Sequence, residues 1–247
     1  MMIAYVSLIG LWLVTPTGDR LTASTALESS DIETVVIKGE DAKAPALRVS
    51  KTETTWGQYL RAVRDGSCPM PNNSPPSLQY FDTEPAGLNY PVTGVSLDKL
   101  TCYLNWLKRK TGRSYRLPTS LEWERFARAG VTTRYPWGPR LEPGRAAVLG
   151  LANIPARPLL LSDWLIGTTV ALFPPNDAGL YDVVGNVFEL TSTCEDVPAL
   201  PGRQQGCSYV LRGGSLTSPK QFLGLSAKAY AARDSDMTMT GFRLVLN

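Results

Sequence analysis

The sequence predicts a single α+β domain with few regular elements, and three observations support this fold class. The chain has 247 residues and is 43% hydrophobic, so it can bury a complete core. Helical periodicity is confined to residues 54–130. The later part consists mainly of short apolar runs separated by Gly, Pro and Asn. Helices early and strands late, with much irregular backbone, are typical of α+β proteins.

Three amphipathic helices are predicted in the first half of the chain. The last of them has the clearest local signal, because Thr119 and Glu122 form a capping box ahead of the apolar Trp123 and Phe126. All three combine a Ser or Thr N-cap, apolar residues at helical spacing and a glycine stop, and they run from Thr54 or Thr55 to Gly66, from Ser96 to Gly112 and from Thr119 to Gly130.

The segments around these helices predict strands and loops. β-rich runs at 35–37 and 46–49 indicate two edge strands ahead of the first helix. Residues 67–91 are crowded with Pro, Asn and Ser and predict a long ordered surface loop. Short apolar islands such as YPWG, YVLRGGS and GFRLVLN follow the third helix and indicate short strands and turns.

Composition excludes several classes of function. The chain has no histidine, which removes Ser-His-Asp and Cys-His catalysis, imidazole zinc sites and facial-triad iron sites. With 25 Lys and Arg against 22 Asp and Glu, and no basic block with interleaved aromatics, nucleic acid is not an expected partner. Any bound metal must therefore be held by oxygen or sulfur.

The N-terminus predicts a secretory leader over residues 1–26, followed by the domain at residues 27–247. Its apolar run, residues 3–14, is too short to span a bilayer, and Ser24-Thr25-Ala26 supplies small residues at a cleavage site. No Lys or Arg precedes the apolar run, so a buried first strand or helix is the alternative. The leader predicts that the protein is exported to the periplasm or secreted, with no membrane span.

Four cysteines make an even number, which suits two disulfides in an exported chain. Cys194 and Cys207 flank a short loop rich in Pro and Gly, and closing it contributes about 3 kcal/mol in the chain-entropy treatment. We therefore favour Cys194–Cys207, which leaves Cys68 with Cys102. Four reduced, buried thiols are the alternative.

Five motifs occur in a characteristic order. They are YPVTGVSLDKLTCYLNWLKRKTGRSYRLPTSLEWERFARAG, YPWG, PPNDAGLYDVVGNVFEL, VLRGGS and GFRLV. This order resembles the signature of the formylglycine-generating enzyme, or sulfatase-modifying factor, family, and the resemblance covers residues 47–247. It implies one compact domain related to C-type lectins and poor in regular secondary structure.

The turn in GLYDVVGNVFEL predicts a cation site. Glu189 lies within an apolar strand, where a carboxylate must be paired or must coordinate a cation. The resemblance implies a structural calcium ion bound by carbonyls of Val184, Gly185 and Val187 and by the Glu189 carboxylate, a ligand set that calcium prefers. A salt bridge between Glu189 and an arginine such as Arg212 is the alternative.

The resemblance also implies a second calcium site. It would use Asn153 and Ile154 in LANIPA together with Asp163 and Leu165 in SDWLIG. The spacing from this segment to the following FPPN is one residue short of the family pattern. For Asp163 a surface turn is the alternative.

The segment after Arg-Gly-Gly-Ser departs from the catalytic pattern of the family. Active members carry two cysteines there, whose thiolates bind copper and support oxygen-dependent oxidation of a substrate cysteine. Counted from Ser215, these positions fall on Ser218 and Leu223, and neither side chain binds Cu(I). Iron-dependent relatives use histidines, which this chain lacks. No copper is therefore expected.

Two functions remain open from the sequence. The first is a binding or accessory module that holds a peptide, glycan or protein partner on the surface formed by residues 212–240. The second is a modifying enzyme with an altered active site, either formylglycine-generating-like or active in siderophore maturation. The candidate pocket residues for either role are Arg212, Ser215, Ser218, Lys220 and Tyr230.

Overall fold

Two four-stranded sheets and three helices form the part of the chain described by the computed structural model, namely residues 32–39, 44–71, 88–149, 167–196, 207–233 and 237–247. The helices are α1 (Trp56–Arg64), α2 (Leu97–Thr111) and α3 (Ser120–Arg128). The strands are β1 (Thr34–Ile37), β2 (Leu47–Ser50), β3 (Tyr115–Arg116), β4 (Phe188–Asp196), β5 (Cys207–Arg212), β6 (Ala229–Ala231), β7 (Thr240–Gly241) and β8 (Val245–Leu246). The predicted α+β class is confirmed.

The first sheet has the order β1-β2-β8-β3 and is antiparallel throughout. It joins the beginning of the described chain to its C-terminus, because β2 pairs with β8. The two predicted early strands are both present. β1 lies at the edge as expected, but β2 lies inside the sheet between β1 and β8, so its prediction as an edge strand was wrong. A long-range partner from the C-terminus cannot be read from a local run.

The second sheet has the order β6-β5-β4-β7 and positions the candidate site. β4 and β5 are antiparallel with Glu189 opposite Arg212, and the register shifts between Leu190 and Cys194. β7 runs parallel to β4 and places Gly241 beside Glu189. This sheet therefore brings three motifs together: GNVFEL on β4, VLRGGS on β5 and GFRLV at β7.

The three predicted helices are confirmed, with side-chain caps at Thr55 and Thr119, whereas Ser96 lies at the N-cap of α2 without a capping hydrogen bond from its side chain. α1 begins after Thr55, whose hydroxyl accepts from the backbone N–H of Gln58 in a capping box, so Thr55 rather than Thr54 is the N-cap. α2 ends at Gly112, which adopts a positive φ of 69° that glycine permits without strain. α3 begins with the predicted Thr119 capping box and ends at Ala129, one residue before the expected stop.

Two apolar clusters form most of the described core. One surrounds α1 and α2, where the Tyr59 and Tyr103 rings lie 5.2 Å apart and Phe242 closes the cluster. The other surrounds α3, where the rings of Trp123 and Phe126 lie 5.9 Å apart. The helices are thus anchored by aromatic residues, and α3 is fixed beside the second sheet.

Both favoured disulfides are confirmed. Cys68 is bonded to Cys102, which ties the end of α1 to α2, and Cys194 is bonded to Cys207, which joins β4 to β5. Such bonds are typical of proteins that fold in an oxidising compartment. Within the described ranges, no helix is both long and apolar enough to cross a membrane.

Candidate functional site

Glu189 lies at the centre of a buried ion pair. Its Oε1 accepts from Arg243 Nη2 at 2.6 Å, and its Oε2 accepts from Arg243 Nε at 2.7 Å. The indole Nε1 of Trp123 also donates to Oε2, at 2.7 Å. The Glu189 and Arg243 side chains are at most 1% exposed, so this fork-to-fork pair is shielded from water.

Arg243 is fixed from several directions. It lies two residues after Gly241, the β7 residue that pairs with Glu189. Beyond the carboxylate, its guanidinium donates to the backbone carbonyls of Ser50, Lys51 and Tyr181. Burial lowers the pKa of Arg243, but the charge and hydrogen bonds of Glu189, together with the charges of Glu53 and Asp182, outweigh burial and raise the pKa overall. The arginine thus links the two sheets while it remains charged.

Two further carboxyl groups lie in this cluster. Glu53 and Asp182 are buried, and each has one oxygen, Oε2 and Oδ1 respectively, without a hydrogen-bond partner. Their other oxygens accept from Asn186 Nδ2 at 3.1 Å and from the backbone N–H of Ala171 at 2.7 Å. We refer to Glu53, Asp182 and Glu189 together with Arg243 as the carboxylate cluster.

Burial raises the pKa of both additional carboxyl groups. For Glu53 burial is the largest cause, the charges of Asp182 and Glu189 add to it, and the pKa lies well above its usual range. For Asp182 burial raises the pKa to about 6. Glu53 also lies close enough to Asp182 to lower the pKa of Asp182 when the Glu53 carboxyl is protonated and can donate. A proton held by Glu53 satisfies both unpartnered oxygens, because a protonated carboxyl donates where two carboxylates cannot.

The carboxylate cluster carries excess negative charge, although within the described residues no group of three or more acidic or cysteine side chains is arranged to hold a metal ion. Three carboxylates face one guanidinium, which leaves two negative charges to be balanced by protons or by a cation. Both oxygens of Glu189 are already engaged by Arg243 and Trp123. The unpartnered oxygens belong to Glu53 and Asp182. Calcium bound with Val184, Gly185, Val187 and Glu189 stays a prediction.

The second predicted calcium site, formed by Asn153, Ile154, Asp163 and Leu165, lies outside the described residues. Glu189 does form a salt bridge with an arginine, as the alternative prediction stated, but its partner is Arg243 and not Arg212. Arg212 lies directly opposite Glu189 in the sheet and pairs elsewhere.

Arg212, the last residue of β5, anchors the segment that runs from this residue through β6. We call this segment, residues 212–233, the Arg212 loop. The Arg212 guanidinium donates to the carbonyls of Ala227 and Ser120 at 3.0 and 3.1 Å. It also pairs with Glu124 of α3 and lies 5.4 Å from the centre of the Trp123 ring. The side chain is fully buried. Arg212 therefore ties the loop to α3 and is not an exposed contact group.

Glu124 connects this anchor to the loop surface. Its Oε1 accepts from Arg128 at 2.7 Å and from the Ser226 hydroxyl at 3.1 Å, while Oε2 accepts from Arg212. Partial burial raises the pKa of Glu124, but the bonds from Arg128 and Arg212 outweigh it and lower the pKa overall. The carboxylate therefore stays charged at neutral pH and holds the loop in place.

The two positions where active relatives carry cysteines have separate structural roles. Ser218 Oγ accepts from the backbone N–H of Ser215 at 2.8 Å and lies 2.9 Å from the Ser215 hydroxyl. Leu223 is buried in the core cluster around α3. A hydroxyl and an aliphatic side chain offer no thiolate, so this loop does not fit Cu(I).

The other two candidate pocket residues make contacts different from those of the serine pair. Lys220 begins a short 3₁₀ turn, Lys220–Phe222, and is exposed. Tyr230 lies on β6, where its hydroxyl donates to Glu195 at 2.9 Å beside a Lys228–Glu195 ion pair. Among the described residues, no hydrogen bond joins Lys220 or Tyr230 to Ser215 and Ser218. The hydrogen bonds of the five candidates therefore belong to separate groups, and their common pocket stays a prediction.

The profile of the FGE-sulfatase family, described as the sulfatase-modifying factor enzyme 1-like domain, matches residues 12–247. The chain belongs to this family. The resemblance predicted from the five motifs is therefore confirmed.

Curated FGE-sulfatase relatives include active and inactive proteins. The formylglycine-generating enzyme of Mycobacterium tuberculosis is 30% identical over 176 residues, which cover 63% of this chain and 57% of the relative. The murine enzyme is 34% identical over 171 residues, which cover 63% of this chain and 44% of the relative. Inactive C-alpha-formylglycine-generating enzyme 2 of Bos taurus is 37% identical over 128 residues, which cover 48% of this chain and 40% of the relative. The chain thus spans about half the length of these relatives.

Solved structures show the same FGE-sulfatase fold at low sequence identity. CarF has a TM-score of 0.63 and 21% identity, covering 87% of this chain and 98% of CarF. PvdO from Pseudomonas aeruginosa has a TM-score of 0.60 and 20% identity, covering 87% and 90% of the two chains. Treponema denticola variable protein 1 has a TM-score of 0.59 and 18% identity, covering 87% and 91%. These likenesses concern the fold.

Several residues of the site were missed by sequence reasoning in this FGE-sulfatase chain. Arg243 lies between Phe242 and Leu244, so the argument that a charge in an apolar run needs a partner applies to it as well as to Glu189. Glu53 and Glu124 carry no comparable signal, because Glu53 is flanked by threonines and Glu124 lies in an amphipathic helix where charged residues are expected. Their roles depend on long-range packing.

Proposed function

We propose that this FGE-sulfatase chain is an exported binding or accessory module that does not use copper. The main support for this proposal is the Arg212 loop, in which Ser218 and Leu223 occupy the copper-ligand positions and have structural roles. A domain that keeps the scaffold and lacks the thiolates retains a surface on which a partner can bind.

The shape of the Arg212 loop supports a contact role. Its inner side is held by Arg212 and Glu124, so its backbone is preorganised before a partner binds. Its outer side presents Phe222 and Tyr230, each 37% exposed, and the exposed cations Lys220 and Lys228. Aromatic and charged groups on a rigid loop are suited to a peptide, glycan or protein partner.

The family offers a precedent for members without activity. A bovine relative carries the name inactive C-alpha-formylglycine-generating enzyme 2 and is 37% identical over 128 residues. Within this chain, the absence of histidine and of a hydrogen bond from Lys220 or Tyr230 to the described serine pair argues against a general-base mechanism at the loop.

Calcium in a structural role is part of the proposal. Glu53 and Asp182 would supply carboxylate oxygens, and nearby turn carbonyls would complete an oxygen set. The expected result is a calcium-dependent rise in melting temperature of the wild type, with a smaller rise in Glu53→Gln, which removes one negative charge from the cluster. Equal shifts in both proteins, or none in the wild type, would exclude this site.

Export is proposed on two grounds. Residues 1–26 have the pattern of a leader, and the two disulfides suit a periplasmic or extracellular location. Expression of the full chain with N-terminal sequencing of the mature product tests this proposal. A mature N-terminus at Leu27 is expected, and an intact N-terminus on a reduced cytoplasmic protein would contradict it.

The decisive experiment for the function is native mass spectrometry of the protein purified after export. The expected spectrum contains calcium, two disulfides and no copper. An oxygen-consumption assay with a cysteine-containing peptide and added Cu(I) should then give no turnover above the peptide and Cu(I) alone. Stoichiometric copper or iron, or oxidation of the peptide, would favour the enzyme alternative instead.

A further inference from the structure

A pocket of about 250 Å³ lies beside the Pro136–Trp137 and Pro174–Pro175 turns, and its lining also includes Asp182 of the carboxylate cluster. One wall is formed by Pro136 and Trp137, the other by Pro174 and Pro175, and the apolar floor includes Leu180. This pocket shares no residue with the Arg212 loop. It is small for a drug-sized ligand, since typical ligand pockets have volumes of roughly 300–1,000 Å³, but it can hold one long side chain.

Both walls are held in place. Asn176, at the end of the second turn, donates to the carbonyls of Phe126 and Ala127 and accepts from the backbone N–H groups of Ala178 and Leu180. The first turn is closed by reciprocal backbone bonds between Tyr135 and Gly138 at 3.0 and 3.2 Å. With all of these bonds inside the protein, the pocket is preformed and would not need to be ordered by its ligand.

Aromatic and cationic groups are already stacked at this wall. Trp137 stacks on Tyr135 with ring centres 5.4 Å apart and planes within 6° of parallel. The guanidinium of Arg134 lies over the Tyr135 ring at 5.5 Å. The indole Nε1 of Trp137 donates to the carbonyl of Arg140, which fixes the ring. The part of the indole that Tyr135 leaves uncovered lines the pocket and can attract a second cation.

The charges around the pocket favour a cation. Asp177 contributes an exposed carboxylate to the lining, Asp182 of the carboxylate cluster contributes a buried one, and Arg145 contributes one cation. Arg145 is partly neutralised by Glu142, whose Oε2 lies 3.6 Å from Arg145 Nε, and both side chains are about half exposed, at 47% and 50%. Asp177 is exposed at the mouth, where it can pair with a ligand.

We propose that this pocket binds an arginine side chain of a partner peptide or protein, with the guanidinium against Trp137 and paired with Asp177. A planar guanidinium suits the site better than an ammonium, because it stacks on an indole and reaches a carboxylate with the same group. Arg145 opposes binding by like-charge repulsion and limits the affinity.

The test uses two probes that differ in charge alone: Nα-acetyl-arginine amide and its neutral isostere Nα-acetyl-citrulline amide. Binding to the full chain is followed by chemical-shift changes of the Trp137 indole N–H. The arginine probe should give saturable shifts with a dissociation constant on the order of 1 mM or weaker, as expected for one side chain. The citrulline probe should bind several-fold more weakly.

Three variants determine where the probe binds. Asp177→Asn should weaken arginine binding about two- to fivefold, the range expected for an exposed charge pair, and should leave citrulline binding unchanged. Arg145→Gln should strengthen arginine binding about twofold, an effect that damage to the fold does not produce. Asp98→Asn, the same charge change on α2, should change neither.

Absence of saturable indole shifts, equal binding of the two probes, or equal effects of Asp177→Asn and Asp98→Asn would each overturn the proposal. Because the pocket and the Arg212 loop share no residue, failure here leaves the proposed binding role of that loop standing, and calcium at Asp182 is tested separately through Glu53→Gln. If the proposed function is rejected, binding of the arginine and citrulline probes still tests this pocket independently.

Discussion

Glu189 and Arg212 face each other across β4 and β5, yet their side chains belong to two different ion pairs. Glu189 pairs with Arg243, and both side chains are at most 1% exposed. Arg212 pairs with Glu124, whose side chain is 26% exposed. Trp123 separates the two pairs, since its indole N–H donates to Glu189 while its ring faces Arg212.

The difference indicates a division of roles within one sheet. The Glu189–Arg243 pair lies where the two sheets meet and has no access to water, so removing one member leaves an isolated buried charge. The Arg212–Glu124 pair fastens a surface loop, and water and Arg128 can compensate part of its loss. We infer that the first pair specifies the fold and the second specifies the shape of the loop.

Removal of Arg243 should have the largest effect. Arg243→Met leaves Glu189 charged and buried beside two other carboxyl groups, and it frees three backbone carbonyls. The expected loss of unfolding free energy is about 3–5 kcal/mol, measured by chemical denaturation at pH 7. The double variant Arg243→Met, Glu189→Gln should be more stable than the single variant, because the isolated charge is gone. A single variant within 1 kcal/mol of wild type, on the order of a surface ion pair, would refute the role assigned to this pair.

Removal of Arg212 should have a smaller and more local effect. Arg212→Met leaves Glu124 with Arg128 and Ser226, so we expect a loss of about 2 kcal/mol in unfolding free energy. Hydrogen exchange should increase mainly over residues 213–228, while α1 and α2 keep their protection. Arg128→Met, which removes the other guanidinium on Glu124, is the matched control and should affect the loop less. Uniform loss of protection in Arg212→Met would mean that both pairs specify the fold.

The sequence predicted local features of the fold well. The helix caps Thr55, Ser96 and Thr119 and the stop at Gly112 depend on residues within four positions, and all are found. Both disulfide pairs were also chosen correctly, because the choice rested on one short loop between Cys194 and Cys207.

The partners in the site could not be predicted in the same way. Glu189 was expected to pair with a positive charge or bind a cation, because a carboxylate among apolar neighbours in a strand requires such a partner. Arg212 was a reasonable candidate, since it lies opposite in the sheet, but β7 brings Arg243 to the same carboxylate through a parallel pairing with β4. A connection of this kind depends on the path of the whole chain. Sequence reasoning therefore identified a charge that needs a partner without identifying the partner.

The pH dependence of stability should reveal the two additional carboxyl groups of the cluster. Burial and the neighbouring Asp182 raise the pKa of Glu53 well above its usual range, and burial raises the pKa of Asp182 to about 6. A raised folded pKa gives stability that is present below the unfolded value, about 4, and is lost as pH rises through the folded value. In a chelating buffer, Glu53→Gln should match the wild type near pH 4 and exceed its stability by about 1 kcal/mol or more near pH 8.

Glu142→Gln provides the control for this pH profile. Glu142 is half exposed and distant from the cluster in its contacts, so its variant should differ from wild type by a constant amount across the same range. A flat difference for Glu53→Gln as well would mean that Glu53 and Asp182 are balanced by something other than a proton.

The smallest effect is expected on the outer side of the Arg212 loop. Tyr230→Phe removes a hydrogen bond to Glu195 that lies beside water, and Glu195 keeps its ion pair with Lys228. Because exposed interactions of this kind contribute little, the unfolding free energy should change by less than about 0.5 kcal/mol. Thr191→Val is the buried control on β4 of the same sheet: the Thr191 hydroxyl donates to the carbonyl of Val210 at 2.8 Å, and its loss should cost about 1 kcal/mol or more. If Tyr230→Phe were as costly as Thr191→Val, Tyr230 would be part of the fold. The outer side of the loop would then no longer be free to bind a partner, and the contrast between the two ion pairs would not extend to the surface.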